Sequence, residues 1–433
     1  MSSKRAISWM FVFLLMLLVV SERSFSQTTQ TEASPEDFGA AGDGVKDDTT
    51  SLQKALQSGK NIVLKKTYFT KDLNVTTANQ KIFGGGKLVA APGTEALLSI
   101  RAPNVAIEGI NFVFSNRKVK YGIVTSAPGT RVTGSSFSGD IGHYILGNSA
   151  TGLTISRNVF NGAGSSQGAP VEVSAVKQFS VIENQFKDVT GFNLQTRWSQ
   201  DGEILRNNFI NPSHVSTLTA VQGQSTFEFS LPYPTARQGI RLNDKVVPPQ
   251  GGVLGGTVFA TVKGTGNKRT VTLVDRQGQP YPSQAGDRVT LVGWRSLENI
   301  NINAGTSRVK IMGNTIDGSG DGGIVIASDY NVRRILDPKN PADFPQDILI
   351  EGNKIRNIHA EGIGVLFSKS EGIVIRNNQI EDCGQSLGGF FSSCIFLAAD
   401  NVRLENNGCR NTSSGITLYK VFVSKSPQKS QRL

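Results

Sequence analysis

One phrase repeats along this chain and restricts the folds open to it. It runs apolar-x-apolar, then a polar pair containing Asn, then another apolar residue, a Gly-rich corner and a second short apolar segment. It appears as LTISRNVF, FSVIENQF, GEILRNNFI, VKIMGNTI, ILIEGNKI, IVIRNNQI and VRLENNGC, with Asn158, Asn184, Asn208, Asn314, Asn353, Asn378 and Asn407 as markers. Most markers are 24 to 29 residues apart, and one step of 39 and one of 106 signal insertions. Self-similarity at such a period indicates a solenoid. The apolar segments are short, β-branched and bounded by Gly or Asn, which suits strands and not helices.

Stacked units of this kind pair each strand in parallel with the next coil, about 4.8 Å away, and their inward Val, Ile, Leu and Phe form continuous apolar columns. The expected fold is therefore all-β, a parallel β-helix. The marker asparagines read as structural. Asn tolerates the left-handed backbone of a sharp corner, and its amide can bond to the next amide in a column.

Ahead of the first coils stands FGAAGDGVKDDTTSLQKAL, Phe38 to Leu56. Gly39, Gly42 and Gly44 allow tight turns, and Asp47 and Asp48 can cap a helix starting near Thr49 with Leu52, Ala55 and Leu56 on its inner face. Such a helix would plug the open end of a solenoid, which otherwise exposes apolar side chains and unpaired strand edges. NIVLKKTYFT and KIFGGGKLVA then read as first coils. This opening segment closely resembles that of the pectate lyase superfamily type 3, the rhamnogalacturonase or epimerase-like β-helix group. The resemblance implies a right-handed parallel β-helix with an N-terminal capping helix. It implies little about the reaction, since such relatives include hydrolases, lyases, epimerases and phage tailspikes. The helix cap and the Gly-Asp-Gly turn account for the aspartates of this segment without a catalytic role.

Between His214 and Ser296 the rhythm stops. STFEFSLP, GGTVFATVKG, KRTVTLVD and GDRVTLVGW alternate apolar and polar residues at period two, as half-buried antiparallel strands do, and Pro/Gly-rich turns separate them. A small inserted antiparallel β domain is expected over 215–295, as a glycan clamp beside the groove or as an embellishment. A second excursion, Asp329 to Gln346, would overhang the next groove position.

The chain begins with Lys4 and Arg5, an apolar run from Trp9 to Val20, and small residues at Ser24 and Ser26. That pattern is a secretory signal peptide cleaved after Ser26, because the apolar run is shorter than the ~20 residues a membrane span needs. The expected divisions are the leader 1–26, the cap and first coils 27–214, the insertion 215–295, the later coils 296–423 and a basic tail 424–433. The product would be secreted or periplasmic, with no membrane span after cleavage. The formal charge is +11, of which the leader supplies +2 through Lys4, Arg5 and Arg23 against Glu22, leaving +9. No basic run with interleaved aromatics is present and export argues against nucleic acid, so an anionic polysaccharide or cell surface is the better partner. The tail VFVSKSPQKSQRL shows no capping helix, so a partner subunit in an oligomer or the tail itself would cover the last coil. Cys383, Cys394 and Cys409 are too few and odd in number for a disulfide framework. Cys383 and Cys394 can pair in an oxidising compartment, or the thiols can serve as small apolar core residues.

Glycan chemistry needs a carboxylate pair, or a base beside a group that neutralises a uronate. Asp321 and Glu361 each precede the Gly that opens a following strand, so aligned coils would place them at one corner, one coil apart. Such a pair suits a glycosidase and would push one pKa upward. It would equally serve as a turn-satisfying or Ca²⁺-binding corner. For β-elimination, His359 is the candidate base, with Lys187, Arg197, Arg333 and Arg334 to neutralise the substrate. Asp317 and Arg356 flank the same corner and complete the candidate substrate-binding set. No metal centre follows from the Cys or His spacing, and Ca²⁺ is the one cofactor the pattern would admit. The polygalacturonase set (Asn-Thr-Asp, Asp-Asp and Gly-His-Gly on successive coils) is not found, nor is the Asp-Pro-His-Asp signature of the mannuronan epimerases. The sequence thus points to a carbohydrate-active enzyme, lyase or hydrolase, with a non-catalytic glycan-binding adhesin as the alternative.

Overall fold

A computed structural model describes residues 31–418 except 115–118, 163–167, 212, 232–236, 248–256, 265–266, 295, 328–340, 367–368, 385–392, 400 and 413–414. The leader 1–26 and the tail 424–433 therefore lie outside the described residues. The chain coils into a right-handed β-solenoid whose strands form three parallel sheets of 12, 12 and 11 strands. Each coil contributes one strand to the first sheet, then the second, then the third. One coil shows the order: Gln200–Leu205 in the first sheet, Asn208–Ile210 in the second and, after the insertion, Ile300–Ile302 in the third.

The interior is one apolar column after another. In the second sheet Phe112, Phe137, Phe160, Phe186 and Phe209 stand in register and stack at centroid distances of 4.6, 5.1, 4.9 and 4.6 Å. Ile316, Ile355 and Ile380 continue the column. All eight are 1% exposed or less. Offset stacking of this kind adds about 0.5–1.5 kcal/mol per ring pair beyond burial.

A buried amide ladder runs along the turn between the first and second sheets. The Nδ2 of Asn158 donates to Asn184, Asn184 to Asn207, Asn207 to Asn314, Asn314 to Asn353, Asn353 to Asn378 and Asn378 to Asn407, each at 2.9–3.0 Å. Each amide also donates to a strand carbonyl of the neighbouring coil, as Asn314 does to Ile204 at 2.9 Å. Its Oδ1 accepts the preceding ladder residue's backbone N–H as well, as Asn353 does from Asn314 at 2.9 Å. The ladder member in the GEILRNNFI coil is Asn207, not the marker Asn208, which is the first residue of the strand that follows. Nor do the ladder residues take up the left-handed backbone. The residue before each one does: Arg157, Glu183, Arg206, Asn377 and Asn406 at φ of 51–58°, and Gly313 and Gly352 at 63–65°. This residue turns the chain so that the next side chain points inward. A non-Gly residue there costs roughly 1 kcal/mol, which the ladder bonds offset.

At the N-terminal end an eight-residue helix, α1 (Thr49–Leu56), buries Leu52, Ala55 and Leu56 against the first coil. Its Gln53 side chain completes the uncovered strand edge, donating to the Asn74 carbonyl and accepting the Asn74 N–H, both at 2.9 Å. One amide side chain thus stands in for a missing strand. The expected capping pair divides its work differently. Asp47 accepts the Thr49 N–H at 2.9 Å, whereas the buried Asp48 carboxylate turns back to the N–H groups of Ala41 and Gly42 at 2.7 and 3.0 Å.

The insertion leaves between the second and third sheets. His214–Thr219, Arg288–Trp294, Arg237–Leu242 and Lys245–Val247 form one antiparallel sheet, and Thr226–Ser230, Lys268–Val274 and Phe259–Lys263 another. They enclose a core of their own that includes Phe227, Phe229, Ile240, Val271, Leu273 and Leu291. The departing and returning chain ends are joined by Asn211, whose Nδ2 donates to Asn299 at 2.7 Å and to Asn193 at 2.9 Å. Fixing both ends in one coil keeps a long excursion thermodynamically cheap.

A disulfide links Cys394 to Cys409, so Cys383 and Cys394 do not pair. Cys409 lies in the second sheet one coil beyond Cys383, and its backbone comes within 5.9 Å of Cys394 between Cα atoms. Cys383 stays a buried core thiol, donating to the Glu381 carbonyl at 3.1 Å, and burial pushes its pKa upward.

Replacing Asn314 by Ala leaves buried partners on both flanking coils, Ile204 and Asn207 on one and Asn353 on the other, unsatisfied and should cost on the order of 3 kcal/mol in denaturant unfolding. Asn208→Ala should cost less than about 1 kcal/mol. Equal losses would show that the ladder does not hold the coils in register.

Candidate functional site

The outward positions of the third sheet carry a short polar row, Glu172, Gln195 and Asn301, that ends on Val325 and Gly364; Gln195 and Asn301 are buried at 2% and 4% exposure. Parallel register aligns these positions on successive coils, four steps spanning about 19 Å. Arg197 Nη2 donates to Gln195 at 2.9 Å, and its Nε lies 3.8 Å from Glu172. Gln195 Nε2 donates to Asn301 at 3.2 Å, and Asn301 Nδ2 in turn donates to Glu298. At the N-terminal end of the row, His143 Nδ1 donates to the Ala169 carbonyl at 2.9 Å and stands 3.6 Å from Glu172. Tyr121 stacks on its ring at 5.5 Å. Burial lowers the His143 pKa, while the Glu172 charge pulls it back upward. His143 therefore tends toward the neutral form, with Nδ1 holding the proton.

At the C-terminal end of the row lies Glu361, 2% exposed. Two glycines make room for its carboxyl group. A Cβ at Gly322 would come within 2.9 Å of Oε1, and one at Gly364 within 2.7 Å. Its Oε2 is buried with no hydrogen-bond partner among the described residues. Burial raises its pKa well above the ordinary carboxyl range, and the charges of Asp321 and then Glu298 push the same way. The backbones of Asp321 and Glu361 meet across the coils: Ala360 N–H donates to the Asp321 carbonyl and Gly323 N–H to the Glu361 carbonyl, at 3.2 and 3.0 Å. A carboxyl group kept protonated beside other acids is a proton donor in chemical terms.

The remaining expected site residues lie elsewhere. His359 Nε2 bonds the Gln238 carbonyl of the inserted domain at 3.0 Å, and its ring packs edge-on against Trp294 at 4.9 Å. Trp294 donates its indole N–H to the Asn357 carbonyl at 3.2 Å. Asn357 Nδ2 and Arg356 Nη2 each donate to Asp317 at 2.6 Å. His359 and the Asn357 carbonyl thus form the seat on which the inserted domain rests, and Asp317 on the adjacent coil holds Asn357 while pairing with Arg356. Lys187 is on the second sheet, a different face from Arg197. Arg333 and Arg334 lie outside the described residues. The structure therefore brings Asp321 and Glu361 together and places Arg197 in the same row, but His359 is engaged by the insertion. Sequence reasoning missed His143, Glu172, Gln195, Glu298 and Asn301. The signal that could have found them is alternate polar residues on the strands of one sheet, visible only once the coils are aligned. Among the described residues no group of three or more His, Cys, Asp or Glu side chains is placed to ligate a metal ion. Among them, too, no helix is long and apolar enough to cross a membrane.

Residues 298–428 match the family model of the right-handed β-helix region. No curated protein matches the sequence. Among solved structures the chain is similar to the ORF18 protein of Geobacillus virus E2, at 11% identity and a TM-score of 0.51 over 89% of this chain. It spans only 61% of that protein's length. It is also similar to PfbA, a surface adhesin of Streptococcus pneumoniae, at 12% identity and a TM-score of 0.50, covering 89% of this chain and 91% of the adhesin. A hyperthermoactive exopolygalacturonase from Thermotoga maritima aligns at 10% identity and a TM-score of 0.45, over 86% of this chain and 91% of the enzyme. At such identities the first two likenesses speak to fold alone.

Two outcomes follow from this geometry. With a raised folded-state pKa, Glu361 holds its proton to higher pH in the folded chain, while the unfolded chain loses it near the ordinary glutamate value of 4.5. Folding stability should therefore fall as pH rises above about 4.5 and until the folded carboxyl itself ionises. Glu361→Gln should flatten that part of the stability curve in unfolding measured from pH 4 to 8, and an unchanged slope would contradict the assignment. His359→Ala should loosen the seat, so that limited proteolysis cuts within residues 214–294 sooner while the solenoid fragments stay intact.

Proposed function

We propose that this chain is an exported enzyme that cleaves a polysaccharide, one rich in uronic acid, by glycosidic hydrolysis on the outer face of the third sheet. The observation that carries the reading is Glu361: a buried carboxyl group, cradled by two glycines, its pKa raised by burial, with one oxygen unpartnered among the described residues and Asp321 on the adjacent coil. In this reading Glu361 gives its proton to the leaving glycosidic oxygen, and Asp321 acts from beside it on water or on the sugar. The partly exposed Arg197 and Glu172 accommodate the flanking sugar units, and the buried amides of Gln195 and Asn301 hold those side chains in place. Export is supported by the leader pattern, and the excess of basic residues suits an anionic chain.

His143 supports a second reading. It is the described histidine that faces this row, with Arg197 two coils away to neutralise a uronate, so β-elimination would draw its base from here and not from His359.

Incubation with polygalacturonate, alginate and other uronic glycans separates these possibilities. Hydrolysis gives new reducing ends without absorbance near 235 nm, and Glu361→Gln should lower kcat by about 100-fold or more with the circular dichroism unchanged. Reducing ends accompanied by that absorbance would transfer the chemistry to His143. Full activity of Glu361→Gln would remove the assignment of the acid. Binding without cleavage of any glycan would leave the non-catalytic adhesin as the function.

A further inference from the structure

One bulky aromatic side chain sits on the surface where the packing offers no reason for it. Trp198 is 41% exposed, whereas Trp294, the other Trp among the described residues, is 1% exposed. It follows Arg197 directly, at the turn from the third sheet to the first, and its backbone is left-handed at φ 46°. That conformation is uncommon for a large side chain and costs roughly 1 kcal/mol. Its N–H is fixed by the Ala304 carbonyl of the next coil at 2.7 Å. The indole lies over Gly305, where any Cβ would collide with the ring. Gly305 therefore gives the ring a flat backbone bed and leaves its opposite face outward.

The neighbours of this ring are sugar-recognising in type. Arg197, Gln195, Glu172 and Asn301 form the connected polar row described above, and the row begins one residue from the indole. A planar apolar face next to hydrogen-bonding groups that lie in a row is the arrangement a pyranose ring requires. The axial C–H groups of the sugar stack on the ring, and its equatorial hydroxyl or carboxylate groups reach the polar side chains. The left-handed backbone recurs at this corner in Ser149, Ala175 and Gly305 and so belongs to the coil; the exposed indole ring does not.

We infer that Trp198 is a stacking platform for one sugar unit of a polysaccharide, and that the partly exposed Arg197, held from behind by the buried Gln195, orients that unit along the third sheet. The inference rests on the proposed glycan-acting role and adds a binding position, a residue for it and an orientation of the chain. The platform is a binding element and takes no part in bond cleavage.

Intrinsic fluorescence in a Trp9→Phe background tests it, because the buried Trp294 is shielded in advance and Trp198 supplies the quenchable emission. Hexamers of galacturonate and mannuronate, with neutral xylohexaose as a third probe, are titrated into the full chain while acrylamide quenching is followed, and binding is measured in parallel by calorimetry. A bound hexamer should protect the emission from acrylamide. Trp198→Ala should weaken binding roughly 10-fold and Trp198→Phe by less, with the unfolding midpoint retained in Trp198→Phe. Calorimetric binding that leaves quenching unchanged, or Trp198→Ala binding with the affinity of the parent, overturns the platform while the glycan-acting function stands. Cleavage of a glycan in the reducing-end assay with undiminished efficiency in Trp198→Ala overturns it as well. Absence of both binding and cleavage across the probes overturns the platform together with the function on which it rests.

Discussion

Everything in this molecule depends on each coil finding its hydrogen-bond partners in the next. A strand buried in a parallel sheet has no water to turn to, so its backbone groups must meet those of neighbouring coils. The amide ladder imposes the same demand on side chains. From Asn158 to Asn407 each Asn donates to the next amide and to a carbonyl on the neighbouring coil, which fixes the rotation of one coil against another. A shift of one residue would leave a buried amide unsatisfied at every level, at about 1–3 kcal/mol each. The phenylalanine column is stacked by the same register, and so is the polar row outside.

This rigidity is what lets the chain carry insertions. The unit between His214 and Trp294 has its own core and touches the solenoid at a polar seat made by His359, Asn357 and Asp317. Its two ends are tied by Asn211 and Asn299, so the coil closes as though the intervening residues were absent. The seat occupies the same corner as the acid pair: His359 stands two residues from Glu361, and Asp317 four from Asp321. A corner rich in Asp, His and Glu therefore has two tasks. Some of its side chains hold the inserted domain, while Glu361 and Asp321 face the row on the third sheet.

The two ends of the solenoid show the same constraint without a neighbour to satisfy it. At the start, Gln53 supplies with one side-chain amide the donor and acceptor that a further strand would have given to Asn74. Near the other end the Cys394–Cys409 bond ties the last described coils together covalently. Exposure follows: Ile416 and Leu418 in the final strand are 51% and 70% exposed, unlike their buried counterparts Ile395 and Leu397 one coil earlier.

The sequence by itself determined the coil, because period, β-branched strands and repeated Asn are all local or quasi-local signals. It also showed the helix of the first coil and the antiparallel character of the insertion through period-two alternation. It did not distinguish Asn207 from Asn208, since only the left-handed residue before each ladder position tells which amide turns inward. Nor could it choose among three cysteines, whose pairing depends on which corner each occupies in stacked coils. The site was legible only in part. Asp321 and Glu361 showed through because they share a local context, and spacing then aligned them. His143, Glu172, Gln195, Asn301 and Glu298 carry no motif and are separated by up to 158 residues; only stacking makes neighbours of them. Tertiary structure alone decided that His359 serves the inserted domain and that Glu361 is buried enough to keep its proton. Burial and partner choice are properties of the assembled coils, and no segment of the chain contains them.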